Sequence, residues 1–258
     1  MRLALAYFLG IVLIFGAWAM VSFSLEEIKG RPILPYPWQA AVAAGENIWT
    51  LLSAFGVSAL RFLVALVISF FVGLPVGLAA GFEPKLADFL SPLIYLLYPM
   101  PPVALLLFLY LAFGLGEVVR LVVVVMALFF QVVVAAQGAA KFISPTHIVA
   151  VRSTGASRWQ VYWHVVIPAT LPSVLTAARV SVGLGITMLY IAETKLGILL
   201  PPNQGLGRFI EYYTFRADIA LAGVVALALL GLLFYVVLEV LERQLCRWKY
   251  VGVKGAGS

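Results

Sequence analysis

The chain has 258 residues, 64% of them apolar and 11% charged, with a mean hydropathy of +1.07. Soluble domains carry roughly half apolar and about a quarter charged residues, so this composition excludes a soluble enzyme and places the chain in a bilayer. The balance of 17 basic against 11 acidic residues, net +6, reads as anchoring to an anionic inner leaflet without any nucleic-acid partner.

Six apolar runs are long enough to cross about 30 Å of hydrocarbon: 3–23, 59–80, 89–113, 118–140, 173–192 and 219–241. The predicted fold class is all-α, a polytopic transmembrane helical bundle of about six spans in a single domain. Arg2 precedes the first run as in a signal peptide, but the run is too long for an h-region and lacks a small-residue cleavage pattern, so it reads as a retained span. Between the first two spans, Pro32, Pro35, Pro37 and Trp38 lead into an amphipathic piece with Ile48, Trp49, Leu51, Leu52 and Phe55, expected to lie along the interface.

Span two repeats glycine every four residues at Gly73, Gly77 and Gly81, with Pro75 between the first two. This predicts a groove that another helix backbone approaches closely, for packing. Span three is interrupted by Pro99, Pro101 and Pro102, which remove three backbone donors at membrane depth. Such a break survives only where protein or a water-filled cavity satisfies the freed carbonyls. Tyr95, Tyr98, Pro99, Met100, Pro101 and Pro102, with Glu193 near the outer end of span five, are the candidate translocation path. Arg179, two turns into span five, reads as a side chain snorkelling to the headgroups.

The polar segment 142–172, FISPTHIVAVRSTGASRWQVYWHVVIPATLP, separates spans four and five. Ser144 suits an N-cap and Pro145 the first helical position. Ile148, Ala150 and Val151 share an apolar face, Gly155 interrupts, and Trp159, Tyr162, Trp163 and Val166 resume at helical spacing until Pro168 ends the pattern. From periodicity alone, an amphipathic loop lying on the headgroups and a docking element for a partner in water both stand. Counting Lys and Arg with the N-terminus inside gives Arg2, Lys85, Lys141, Arg152, Arg158, Arg243, Arg247, Lys249 and Lys254 in the cytoplasm, against Lys29, Arg31, Arg61, Arg120, Lys195, Arg208 and Arg216 outside. Both termini and the 142–172 segment are then cytoplasmic.

Catalytic constellations are missing from the sequence. His147 and His164 are seventeen apart without HExxH spacing, and no G-x4-G-K-[ST] phosphate loop occurs. If ATP drives the protein, another chain binds it. The single cysteine, Cys246, reads as a small apolar filler.

Gly155-Ala156, followed by Ile167-Pro168 and Leu171-Pro172, resembles the EAA loop of ABC-transporter permeases, with Val149-Ala150-Val151 at the EAA positions. The segments LRFLVALVISFFVGLPVGLAAG (60–81), SPLIYLLYPMPPVALLLFLYLAFGLGE (91–117) and GLGRFI (205–210) are similar to the nitrate, sulfonate and taurine branch of that family. The resemblance implies a type I, MetI-like importer permease in a bacterial cytoplasmic membrane, with its core over 55–245. It implies a homodimer with the path between copies, a cytoplasmic ATPase dimer that binds ATP and Mg, and an extracytoplasmic binding protein. No cofactor is expected on this chain. It also assigns Val149, Ala150, Val151, Arg152, Gly155, Ala156, Arg158 and Pro168 to ATPase coupling. Because Val149 replaces the family's glutamate, docking must rest on apolar burial or on Arg152 and Arg158. An ion-gradient transporter needs midplane carboxylates, absent from spans two to four. A membrane enzyme needs a nucleophile–base pair or a metal cluster, and neither pattern occurs.

Overall fold

A computed structural model describes residues 2–196 and 200–251; Lys254 and the Gly197–Leu199 stretch lie outside the described residues. Every regular element described is helical: α1 (Arg2–Lys29), α2 (Pro37–Glu46), α3 (Ile48–Phe82), α4 (Pro84–Leu97), α5 (Leu106–Phe113), α6 (Glu117–Lys141), α7 (Pro145–Arg152), α8 (Arg158–Val161), α9 (Ile167–Val180), α10 (Val182–Lys195), α11 (Leu206–Tyr212), α12 (Ala217–Leu245) and α13 (Trp248–Val251). Among the described residues five helices are long and apolar enough to span, six when the bent pair Pro84–Leu97 and Pro102–Phe113 is counted as one. The contacts divide the chain into two units, residues 1–58 with 197–229 and residues 59–196 with 230–258.

In the first unit the proline-rich turn folds back on α1. The Trp18 indole N–H donates to the Pro35 carbonyl at 2.9 Å, and the Tyr36 hydroxyl donates to Glu26 at 2.9 Å. Most of α1 beyond this tether presents apolar side chains outward, such as Leu13, Ile14 and Met20, as a lipid-facing span does. Residues 48–58, expected as a separate interfacial helix, are instead the first turns of α3, which runs unbroken for 35 residues. Leu51, Ala54 and Ser58 bury one face at helical spacing, no proline separates residues 48–58 from the span that follows, and the helix continues through Pro75.

The second unit is organised by close packing of α3 on α6. A Cβ at Gly77 would sit 2.5 Å from the Val133 carbonyl and 2.6 Å from Ala136, and one at Gly81 would strike the Gln137 carbonyl. The Ser69 hydroxyl extends the same stripe, donating to the Ala65 and Val125 carbonyls at 2.7 and 3.1 Å. The predicted groove is thus filled by α6 of the same chain. Leu78 of α3, Val132, Ala136 and Ala140 of α6, and Val161, Val165, Val166 and Val174 form a buried cluster beside this contact. At the far end of α6, Val119, Val123 and Ala127 pack on Met188, Ala192 and Leu196 around α10.

Span five departs from its expected bounds. The long apolar helix is Arg158–Val180, and α10 follows as a separate 14-residue helix after Ser181. Pro168, expected to end the returning helix, lies in the first turn of α9 and the chain continues through it. The reason is the π-helical turn Tyr162–Val166 immediately before it. A wider turn relieves the clash that a proline ring otherwise makes with the preceding turn. Thr170 Oγ1 then donates to the Val166 carbonyl at 2.8 Å. Cys246 is fully buried, and burial, reinforced by the Glu242 carboxylate, pushes its thiol up from the ordinary range.

Candidate functional site

Segment 142–172 is built as the sequence predicts, a short helix, a turn and a returning helix. Pro145 occupies the first turn of α7, while the Ser144 hydroxyl makes no cap bond. Ile148 and Val151 pack against the buried cluster of the second unit. Val149 is 61% exposed, and Ala150 and Arg152 also face outward. The helix unwinds through bonds from Ser153 N–H to the Val149 carbonyl and from Gly155 N–H to the Arg152 carbonyl, at 2.8 and 3.0 Å. Gly155 adopts φ +84, a left-handed conformation that L side chains rarely tolerate. It is exposed, and a Cβ there would meet nothing within 4 Å among the described residues. Ala156 is half-buried. Ser157 and Gln160 then close a capping box that starts α8, a signal present in the sequence as S-x-x-Q.

The returning helix is tied to the α3–α4 junction. Glu83 accepts from the Arg158 guanidinium and, at 3.0 Å, from the Tyr162 hydroxyl. Phe82 meets the Tyr162 ring edge-on, with centroids 5.1 Å apart. Of the two arginines on this segment, Arg158 is therefore turned to the protein's own α4, while Arg152 has no partner among the described residues.

The proline break is also where the sequence puts it. Helix α4 ends at Leu97, a 3₁₀ turn occupies Pro102–Leu105, and the axes of the flanking helices differ by 83°. Tyr95, Tyr98, Pro99, Met100 and Pro101 are exposed and Pro102 is half-buried. Glu193, grouped with them on sequence, is 1% exposed and ion-paired to Arg61 of α3. Arg61 also makes two parallel bonds to Glu117, both 2.9 Å. Glu117 bonds Arg120, which donates to the Leu196 carbonyl at 2.7 Å. This four-charge network pins α3, α6 and α10 together, and sequence reasoning missed it by counting Arg61 and Arg120 as loop charges. A second buried carboxylate, Glu242, accepts from Thr176 at 3.1 Å and Lys249 at 2.6 Å and faces Arg179 at 3.4 Å. Arg179 has an internal partner in addition to any snorkelling reach.

Residues 73–247 match the family of binding-protein-dependent transport system inner membrane components. The chain belongs to that family. The permease is 34% identical over 204 residues to the taurine transport system permease protein TauC of Escherichia coli strain K12, covering 78% of this chain and 71% of that protein. It is 27% identical over 180 residues to the putative aliphatic sulfonates transport permease protein SsuC of Bacillus subtilis strain 168, covering 69% and 63%. In fold it is similar to a chain of the MetNI methionine ABC transporter solved facing inward, with TM-score 0.62, 22% identity, and 78% of this chain and 98% of that one covered. The permease is the membrane-spanning subunit of an ATP-driven importer. It moves a small solute, delivered by an extracytoplasmic binding protein, across the inner membrane. It is a transport subunit and not an enzyme.

Proposed function

We propose that the turn 149–158 is the surface by which an ATPase subunit drives this permease. The observation that carries this reading is Gly155, exposed at φ +84 with open space around it, on a turn whose two flanks are seated in the buried cluster. Such a turn moves only with the helices that hold it. Val149 and Ala150 offer an apolar contact and Arg152 a cation without a partner among the described residues, which suits a groove with a polar rim. ATP and Mg are held on the partner chain. Two permease copies form the assembly, with the path between them, and each chain acts as a single module. Taurine and aliphatic sulfonates, the solutes for which the relatives are named, are the first cargoes to assay.

The test is Gly155→Trp. The variant is expected to insert and fold, since a Cβ there meets nothing within 4 Å among the described residues and the strain of a side chain at φ +84 falls on an exposed turn, and to lose both ATPase association and transport. Normal co-purification and transport would reduce 142–172 to a surface loop.

Both termini are placed in the cytoplasm. This follows the count of Lys and Arg, nine inside against seven outside. In a Cys246→Ser background, Ser157→Cys is expected to resist an impermeant thiol reagent applied to intact cells, while Asn203→Cys reacts. Labelling of Ser157→Cys from outside reverses the topology.

The exposed break at Tyr98–Pro101 is the proposed lining of the path. Tyr98→Cys and Met100→Cys are expected to react with small water-soluble thiol reagents, with rates that change when the ATPase dimer is trapped closed. Lack of reaction in every nucleotide state moves the path elsewhere.

A further inference from the structure

We infer that Glu83 is the positioning residue that carries movement of the docking turn into the broken span. This rests on the docking role proposed for 149–158. Glu83 stands at one junction of three elements. Its N–H donates to the Ala79 carbonyl at 3.2 Å, closing α3. Its own carbonyl accepts from the N–H groups of Leu86 and Ala87 at 3.0 and 2.8 Å, starting α4. Its carboxylate crosses to the returning helix, one oxygen on Arg158 and the other on Tyr162. Helix α4 runs from this anchor to the break after Leu97, beyond which the chain turns by 83°. A displacement of α8 is thus applied to the first turn of the helix whose other end is the candidate path.

The chemistry supports a positioning role over a stabilising one. The Arg158 side chain is 70% exposed, and ion pairs that open to water contribute little to folding. Two bonds to the two oxygens of one carboxylate nevertheless fix both the distance and the rotation of α8 relative to α4. Phe82 against the Tyr162 ring adds a third point, so the connection resists shear as well as separation. A groove of about 610 Å³ between Phe70–Ala79 and Trp159–Ile167 adjoins this polar connection, which supplements the apolar packing of Leu78 on Val161 and Val165.

The experiment uses the full transporter reconstituted in vesicles with its ATPase and binding protein, measuring ATPase association, ATP hydrolysis and solute uptake together. Glu83→Ala is expected to keep ATPase association and hydrolysis within twofold of the parent while ATP consumed per solute moved rises at least tenfold. The reversed pair Glu83→Arg with Arg158→Glu is expected to restore most of the coupling ratio, and Tyr162→Phe to give an intermediate loss. Normal coupling in Glu83→Ala overturns the inference. So does loss of ATPase association in that variant, which would make Glu83 a support for the docking surface only. If Glu83→Ala fails to accumulate, Glu83→Gln and Tyr162→Phe decide on the same ratio, since each removes part of the connection and keeps its bulk. Failure of the underlying docking role shows separately, as a Gly155→Trp variant that still binds its ATPase.

Discussion

Arg61→Ala is expected to lose about 3–5 kcal/mol of stability, the cost of leaving a buried charge without its partner. Arg61 is the hub of the network: it is ion-paired to Glu193, which is 1% exposed, while holding Glu117 with two parallel bonds. Removing the guanidinium takes away the cation paired with the buried Glu193 carboxylate, which weakens the attachment of α10 to α3. Arg61→Lys keeps the charge but not the planar fork, so it is expected to fall between the parent and Arg61→Ala. Replacing both partners, Arg61→Met with Glu193→Met, is expected to recover much of the loss, because no buried charge is then stranded. Denaturant unfolding of the detergent-purified protein reads all three. An Arg61→Ala midpoint indistinguishable from the parent would mean that the network contributes nothing and that apolar packing, including Met188, Leu189 and Ala192, holds α10.

Gly77→Ala is the second large effect, expected at about 1–3 kcal/mol, with Gly77→Val worse. The added carbon meets the Val133 carbonyl at 2.5 Å and Ala136 at 2.6 Å. One of these is backbone and the other is a Cβ, so neither moves aside by changing rotamer, and α3 must retreat from α6. Gly56→Ala in the same helix is the control. Nothing among the described residues lies within 4 Å of its Cβ position, and alanine favours a helix by roughly 0.5–1 kcal/mol over glycine. The same unfolding assay should move in opposite directions for the two substitutions. Equal shifts would show that the α3–α6 contact is looser than its geometry implies.

What the sequence revealed and what it withheld follow from the range of the interactions involved. The spans, the proline break and the helix–turn–helix at 142–172 depend on hydrophobic length, missing donors and a single glycine, all local quantities. The spacing of Gly73, Gly77 and Gly81 announced a close contact because a helix repeats every 3.6 residues, though not which helix would fill it. The ion pairs could not be read that way. Arg61 lies 132 residues from Glu193, and Glu83 lies 75 from Arg158; only the packed chain brings them together. Pro168 misled for a different reason. A proline signals a helix end by its local cost, and here the preceding π-helical turn absorbs that cost, so the helix runs on. Residues 48–58 misled in the opposite sense, because an amphipathic pattern fits a helix on the interface and the buried first turns of a long span equally well.

The most direct test of the central claim is a photo-crosslink from the docking turn to the ATPase. A single cysteine at Val149 in the Cys246→Ser background, carrying a thiol-reactive benzophenone, is irradiated in the assembled transporter, with Asn203→Cys as the control. The expected result is a covalent adduct of the permease with one ATPase subunit from Val149→Cys, its yield changing between nucleotide-free and ATP-trapped states, and none from Asn203→Cys. Absence of any adduct from Val149→Cys in every nucleotide state, while the ATPase remains bound to the complex, would contradict the account.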